Sequence, residues 1–160
     1  VGQGQLHPKI KSDKRVISME QTNARELDKN SFFDNISMIV MDVSFISLTK
    51  ILIPARNLLQ DNGQMVCLIK PQFEAGREQV GKKGIVRDKN VHIQVAQNVV
   101  KYAVENGLKP AGFTYSPVTG AKGNIEYLLY IDGKIKKGEE FDTEFLKITD
   151  VVNTSHEELE

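Results

Sequence analysis

Cysteine is nearly absent: Cys67 is the only one in 160 residues. No intrachain disulfide can form, and a lone thiol inside an apolar run is most simply a small core residue. That fits a reducing, cytoplasmic compartment. An excess of charge is absent too, since 21 basic residues balance 21 acidic ones. Contact with nucleic acid would have to come from a local basic patch and not from the overall field. No apolar run approaches the length of a bilayer span, and the first residues do not read as a signal peptide, so no membrane partner is expected. His7, His92 and His156 are scattered, and no Cys/His cluster has the spacing of a metal site. The chain opens at Val1 and not at a methionine, from which we expect further sequence upstream. The length suits one domain with a sizeable core.

What is present is organised around the run from Met65 to Ile69, which stops at Lys70-Pro71. An apolar run bounded by turn signals reads as a strand buried on both faces. Lys70 then closes a central strand, at the edge of an open α/β sheet where ligands bind. A lysine delivered there is poorly solvated, which disfavours its ammonium form and suits it to proton transfer. Ile36 to Val43 is a second such strand, and it ends at another ionisable group, Asp42. Val16–Met19 reads as a short strand before it. Asn23, with Glu26 three residues on, has the spacing of a helix N-terminus in a variant capping box.

Leu48, Ile51, Leu52, Ala55, Leu58 and Leu59 share one helical face. Pro54 predicts a kink or break in that helix, and Asn62-Gly63 a glycine C-cap. Glu74 to Lys89 has no apolar period, three glycines and clustered basic residues, and is expected to be a mobile lid whose Arg77, Lys82, Lys83 and Arg87 hold phosphates. Val91 to Val104 makes an amphipathic helix closed by Gly107. Ala111–Ser116 and Ile125–Ile131 read as strands, Asp132-Gly133 as a turn, and Phe141–Ile148 as a short helix. Residues 1–150 form the domain, and 151–160 an acidic tail expected to fray.

The linker between the last two strands is short for a right-handed crossover, so the final strand is expected to be antiparallel. Glu126, near its start, would then share one edge of the sheet with Asp42 and Lys70. Asp42 would remain ionised beside Lys70, and Glu126 would hydrogen-bond and orient the amine.

Three motifs carry a resemblance: Met41-Asp42-Val43-Ser44-Phe45-Ile46-Ser47, Lys70-Pro71-Gln72-Phe73-Glu74-Ala75-Gly76-Arg77, and Gly123-Asn124-Ile125-Glu126-Tyr127. Together they closely resemble the TlyA/hemolysin A family of FtsJ-like ribosomal RNA 2′-O-methyltransferases, from about Val1 to Ile131. The resemblance implies a Rossmann-like α/β sheet that binds S-adenosyl-L-methionine, with an antiparallel last strand. It implies methyl transfer to a ribose 2′-hydroxyl, with ribosomal RNA or a ribosomal subunit as partner. Asp42, Lys70 and Glu126 match the last three members of the family's Lys-Asp-Lys-Glu tetrad. Asn23 matches the position near the cofactor's adenine, and the methionine end would lie close to Asp42 and Val43.

The glycine-rich cofactor loop, the first tetrad lysine and the acid that holds the cofactor ribose have no match in these 160 residues. We therefore expect a partial methyltransferase domain that lacks the first strands of the sheet and is inactive by itself. Two other classes compete. A non-catalytic RNA- or ribosome-binding module has no need of the Asp42, Lys70, Glu126 trio. A cytolysin would need a helix joining a broad apolar face to a strongly basic one, which neither amphipathic helix does.

Overall fold

A computed structural model of the chain describes residues 2–159. A single turn, α1 (Pro8–Lys11), opens it, capped by His7. The strands and helices that follow are β1 (Ile36–Met41), α2 (Leu52–Leu58), β2 (Leu59–Ile69), α3 (Pro71–Glu74), α4 (Lys89–Glu105), β3 (Leu108–Tyr115), β4 (Tyr127–Lys134) and α5 (Ile148–Leu159). The sheet order is β1-β2-β4-β3. β1 and β2 are parallel, with Met41 opposite Cys67. β4 runs antiparallel to both of its neighbours, as the short link before it requires.

Alternation along the strands decides which face is covered. Met65, Cys67 and Ile69 of β2 pair with Ile131, Leu129 and Tyr127 of β4, and all six are fully buried. They pack with Val95, Ala96, Val99, Val100 and Ala103 of α4 and with Val152 of α5 in one core. Full burial of an aliphatic side chain of this size contributes about 1.5–3 kcal/mol. The opposite face is only partly covered. At its β1 end Met38 and Val40 are 52% and 73% exposed. The free edge of β1 borders an apolar groove of about 410 Å³, walled by Ala24, Leu27, Phe32, Ile51 and Ala55.

Several expectations change. Val16–Met19 pairs with nothing in the sheet and is not a strand. The helix expected over Leu48–Leu59 is divided at Ile51: a 3₁₀ turn (Leu48–Lys50) comes first, then α2. Pro54 falls in the first turn of α2, where a missing N–H costs nothing. Asn62-Gly63 is not a cap. It lies within β2, where Ile36 pairs with Leu59 but Met38 with Gln64, so the extra residues form an irregularity in the ladder.

Asp132-Gly133 likewise stays inside β4. Leu108 pairs with Lys134 and Pro110 with Ile131, so β4 carries one extra residue there. Gly133, at φ 78°, accommodates that bulge. Phe141–Ile148 holds only a 3₁₀ turn (Glu144–Leu146). The terminal helix begins where it was expected to stop.

The tail is the largest correction. Residues 151–159 form most of α5 and do not fray. Val152 and Ser155 are fully buried, and the Tyr115 hydroxyl hydrogen-bonds to Glu158. The outer positions are polar (Thr149, Asp150, Thr154, Glu157 and Glu158) and hide the narrow buried stripe on which Val152 and Ser155 lie.

Candidate active site

Because side chains alternate, the residues next to Met41, Ile69 and Tyr127 turn away from the core. These are Asp42, Lys70 and Glu126. The ladder that sets Ile69 opposite Tyr127 brings Glu126 and Lys70 to the same end of adjacent strands.

Lys70 Nζ lies 2.6 Å from Asp42 Oδ1. The lysine side chain is 12% exposed and the aspartate 73%. The ammonium is therefore withdrawn and the carboxylate faces solvent. Lys70 Nζ also donates to Ser44 Oγ at 3.2 Å and sits 5.9 Å from the centre of the Phe73 ring. Glu126 is buried but does not hold the amine directly as expected. Its Oε1 accepts a 2.9 Å hydrogen bond from Gln72 Nε2. Gly120 backs onto this carboxylate so closely that a Cβ there would overlap it.

The short turn α3 ties these parts together. Pro71 starts it, with φ already suited to a first helical position. Gln72 then reaches Glu126, and Glu74 reaches back to the loop after β1. Glu74 Oε2 accepts from Ser47 Oγ at 2.6 Å, and Oε1 from the Leu48 backbone N–H at 2.7 Å. Burial pushes the Glu74 carboxyl above its ordinary value, against the opposing pull of those two donors. One helical turn thus fixes the loop that carries Asp42 and Ser44 relative to the strand end that carries Glu126.

Asn23, Asp42, Val43, Ser44, Phe45 and Lys70 border one cavity of about 680 Å³. Asn23 does cap a turn, the 3₁₀ segment Ala24–Glu26, by accepting from the Arg25 N–H at 3.1 Å. Glu26 takes the Asn23 side-chain amide at 2.8 Å, so the reciprocal bond of a capping box is replaced by a side-chain pair. Phe45 is 91% exposed, has φ 62°, and stands with its ring 4.9 Å from that of Phe73. A bulky residue in the left-handed region is strained, and such strain concentrates at functional sites. Ser44, Phe45, Gln72, Glu74 and Gly120 are the site neighbours that residue patterns did not single out. Four of them lie inside the quoted motifs, but no periodicity distinguishes them.

The segment from Glu74 to Lys89 is not the structureless lid expected. It contains a 3₁₀ turn (Arg77–Gln79), and Val86 within it is buried. Asn124 Oδ1 accepts from the Val86 N–H at 3.2 Å, and Asn124 Nδ2 donates to Gly84 O at 3.0 Å. His92 Nε2 lies 2.9 Å from Val86 O. The segment is held by polar side chains outside it, Asn124 and His92, which an apolar pattern does not reveal. Arg77, Lys82, Lys83 and Arg87 are all exposed. Among the described residues none of the four is in an ion pair. Nor, among those residues, is any group of three His, Cys, Asp or Glu side chains placed to hold a metal ion. No described helix is long and apolar enough to cross a membrane.

The family model of the FtsJ-like methyltransferases matches residues 1–132. The rRNA methyltransferase candidate YqxC of Bacillus subtilis is 43% identical over 99% of this chain and 57% of its own. The 16S/23S rRNA (cytidine-2′-O)-methyltransferase TlyA of Mycobacterium tuberculosis is 37% identical over 82% of this chain and 49% of its own. A solved structure of a hemolysin candidate from Streptococcus thermophilus superposes with a TM-score of 0.90 at 41% identity, over 98% of this chain and 56% of that one. The chain spans about half the length of the curated relatives it matches.

Proposed function

The chain belongs to the FtsJ-like methyltransferase family, and from that premise we propose that it carries the proton-handling part of an S-adenosylmethionine-dependent ribosomal RNA 2′-O-methyltransferase. The observation that carries the reading is the withdrawn Lys70 ammonium paired with exposed Asp42, at the strand edge that also holds Glu126. A ribose 2′-hydroxyl is a weak acid and a weak nucleophile. It needs a base at hydrogen-bond distance and a fixed line of approach.

Lys70 Nζ is placed to take the hydroxyl proton as the new C–O bond forms and the donor's S–C bond breaks. The ammonium so produced is the state that Asp42 pairs with, so the carboxylate stabilises the product of proton transfer. Ser44 and the Phe73 ring limit where the amine can point. Gln72 orients Glu126 beside it. Exposed Phe45 offers an apolar ring face against which a nucleobase could stack.

When bound, S-adenosyl-L-methionine supplies a methyl group activated by its sulfonium charge. Asn23 would face its adenine, and Asp42 and Val43 its methionine end. The cavity these residues share with Lys70, large enough for a nucleoside, supports that assignment. We read the four strands as part of a Rossmann-like methyltransferase sheet in which a further strand pairs with β1. The bare apolar edge at Met38 and Val40 supports this. Arg77, Lys82, Lys83 and Arg87 would meet RNA phosphates.

The test is transfer of a radiolabelled methyl group to ribosomal RNA by the full-length protein. Lys70→Ala should slow it by about two orders of magnitude or more, the usual scale for a positioned base. Cofactor affinity should change far less. Near-normal turnover in that variant rules out Lys70 as the base.

A further inference from the structure

The loop that leads into Glu126 also carries a cation that the motifs leave unassigned. Lys122 sits in the 3₁₀ turn Ala121–Gly123 with φ 62°, a left-handed conformation unusual for lysine. With Lys83, Ile85 and Arg87 it borders a cleft of about 430 Å³. The three cations thus come from two loops far apart in sequence.

Those loops are joined by Asn124, which is 2% exposed. Its amide donates to Gly84 O and Ala121 O, each at 3.0 Å, while its carbonyl accepts from Val86 N–H at 3.2 Å. Every bond of this knot spans the two loops or closes the Lys122 turn. The nearest acid in sequence, Asp88, is turned to the N-terminus of α4, where Oδ1 accepts from the Asn90 N–H at 2.8 Å. Among the described residues none of Lys83, Arg87 and Lys122 is in an ion pair. Three uncompensated cations held around one cleft repel one another, and an anion between them relieves that repulsion.

We infer that Lys83, Arg87 and Lys122 form one phosphate-binding cleft for the RNA backbone, with Asn124 as the positioning residue that holds its two walls in register. The inference rests on the RNA-methyltransferase reading and adds Lys122 and the cleft to it. The cleft follows the loop into Glu126, so a strand gripped there is anchored beside the reacting edge. Phosphate contacts of this kind fix register and carry no sequence preference of their own.

The experiment measures binding of the full-length protein to an RNA duplex of unrelated sequence across a salt series. Lys122→Gln should lower the log–log salt slope by about one unit, and Lys83→Gln with Lys122→Gln by about two. Lys122→Arg should restore the wild-type slope. Lys137→Gln is the control, since that exposed lysine follows β4 at the opposite end from Glu126, and its slope should not change. An unchanged slope in Lys122→Gln, or an equal fall in Lys137→Gln, overturns the cleft. The methyl-transfer assay is scored separately. A protein that shows the expected slopes but transfers no methyl group keeps the cleft and loses the enzymatic reading.

Discussion

Glu126 and Tyr127 are neighbours at the start of β4, yet they serve two polar clusters of opposite character. Glu126 turns to the strand edge, where Gln72 donates to it and the Lys70–Asp42 pair lies on the adjoining strand ends. Tyr127 turns into the core. Its hydroxyl lies 2.8 Å from His92 Nδ1 and 3.1 Å from Ser155 Oγ, and His156 Nε2 lies 3.1 Å from the same His92 nitrogen. The inner cluster ties α4, β4, α5 and the Val86 segment together, and it is closed to solvent at His92, Tyr127 and Ser155. The outer cluster has an aspartate open to water and a buried Gln72 Oε1 with no hydrogen-bond partner among the described residues. Polar groups of the first kind specify a packing arrangement. Those of the second kind keep bonding capacity for something that arrives.

Breaking the inner cluster should have the larger effect on folding. His92→Ala removes the partner of Val86 O and one partner of Tyr127, and it leaves a cavity under α5. We expect a loss of about 2–4 kcal/mol, from unsatisfied buried groups and lost packing together. Chemical denaturation of the full-length protein measures it. A loss well under about 1 kcal/mol would show that the cluster does not hold the packing together and erase the contrast.

The outer cluster should respond in rate and not in stability. Gln72→Ala frees Glu126 without touching the core, and should lower kcat about tenfold through misplacement of the reacting groups. KM for RNA and the denaturation midpoint should stay near wild type. A variant that loses stability while keeping kcat would make Gln72 part of the packing.

The smallest effect is expected at Glu74. Burial raises its carboxyl above the ordinary 4.5. The folded protein therefore binds that proton more tightly than the unfolded chain. The contribution to stability is present below the unfolded value and is lost as pH rises through the folded one. Glu74→Gln, which cannot titrate, should flatten the stability profile across that interval. Parallel profiles for the two proteins would show that the carboxyl titrates alike in both states.

These contrasts explain how far the sequence could be read. β1, β2 and the antiparallel sense of β4 were legible because burial imposes apolar runs and short links restrict topology. Asp42, Lys70 and Glu126 were legible because each interrupts or flanks such a run. The expected bond from Glu126 to Lys70 is replaced by one from Gln72 to Glu126, and no spacing rule predicts which residue of a turn will make it. Asn62-Gly63 and Asp132-Gly133 carry turn chemistry, but here they serve irregularities inside strands. α5 escaped notice because its buried stripe, Ile148, Val152 and Ser155, is narrow and most of the rest of the helix is polar. His92 is a further instance: one histidine on an apolar helix face gave no hint that it reaches Val86, Tyr127 and His156.

Cys67 has a practical consequence. It is the only thiol in the chain, it has no accessible surface, and burial pushes its pKa up to about 12. Alkylating reagents attack the thiolate, so near neutral pH the native chain is silent toward them. A cysteine introduced at an exposed position such as Lys82 would be the sole reactive handle on this domain. A dye or a photo-crosslinker could be attached there without first removing the native residue, and the path of bound RNA could be mapped from that point outward.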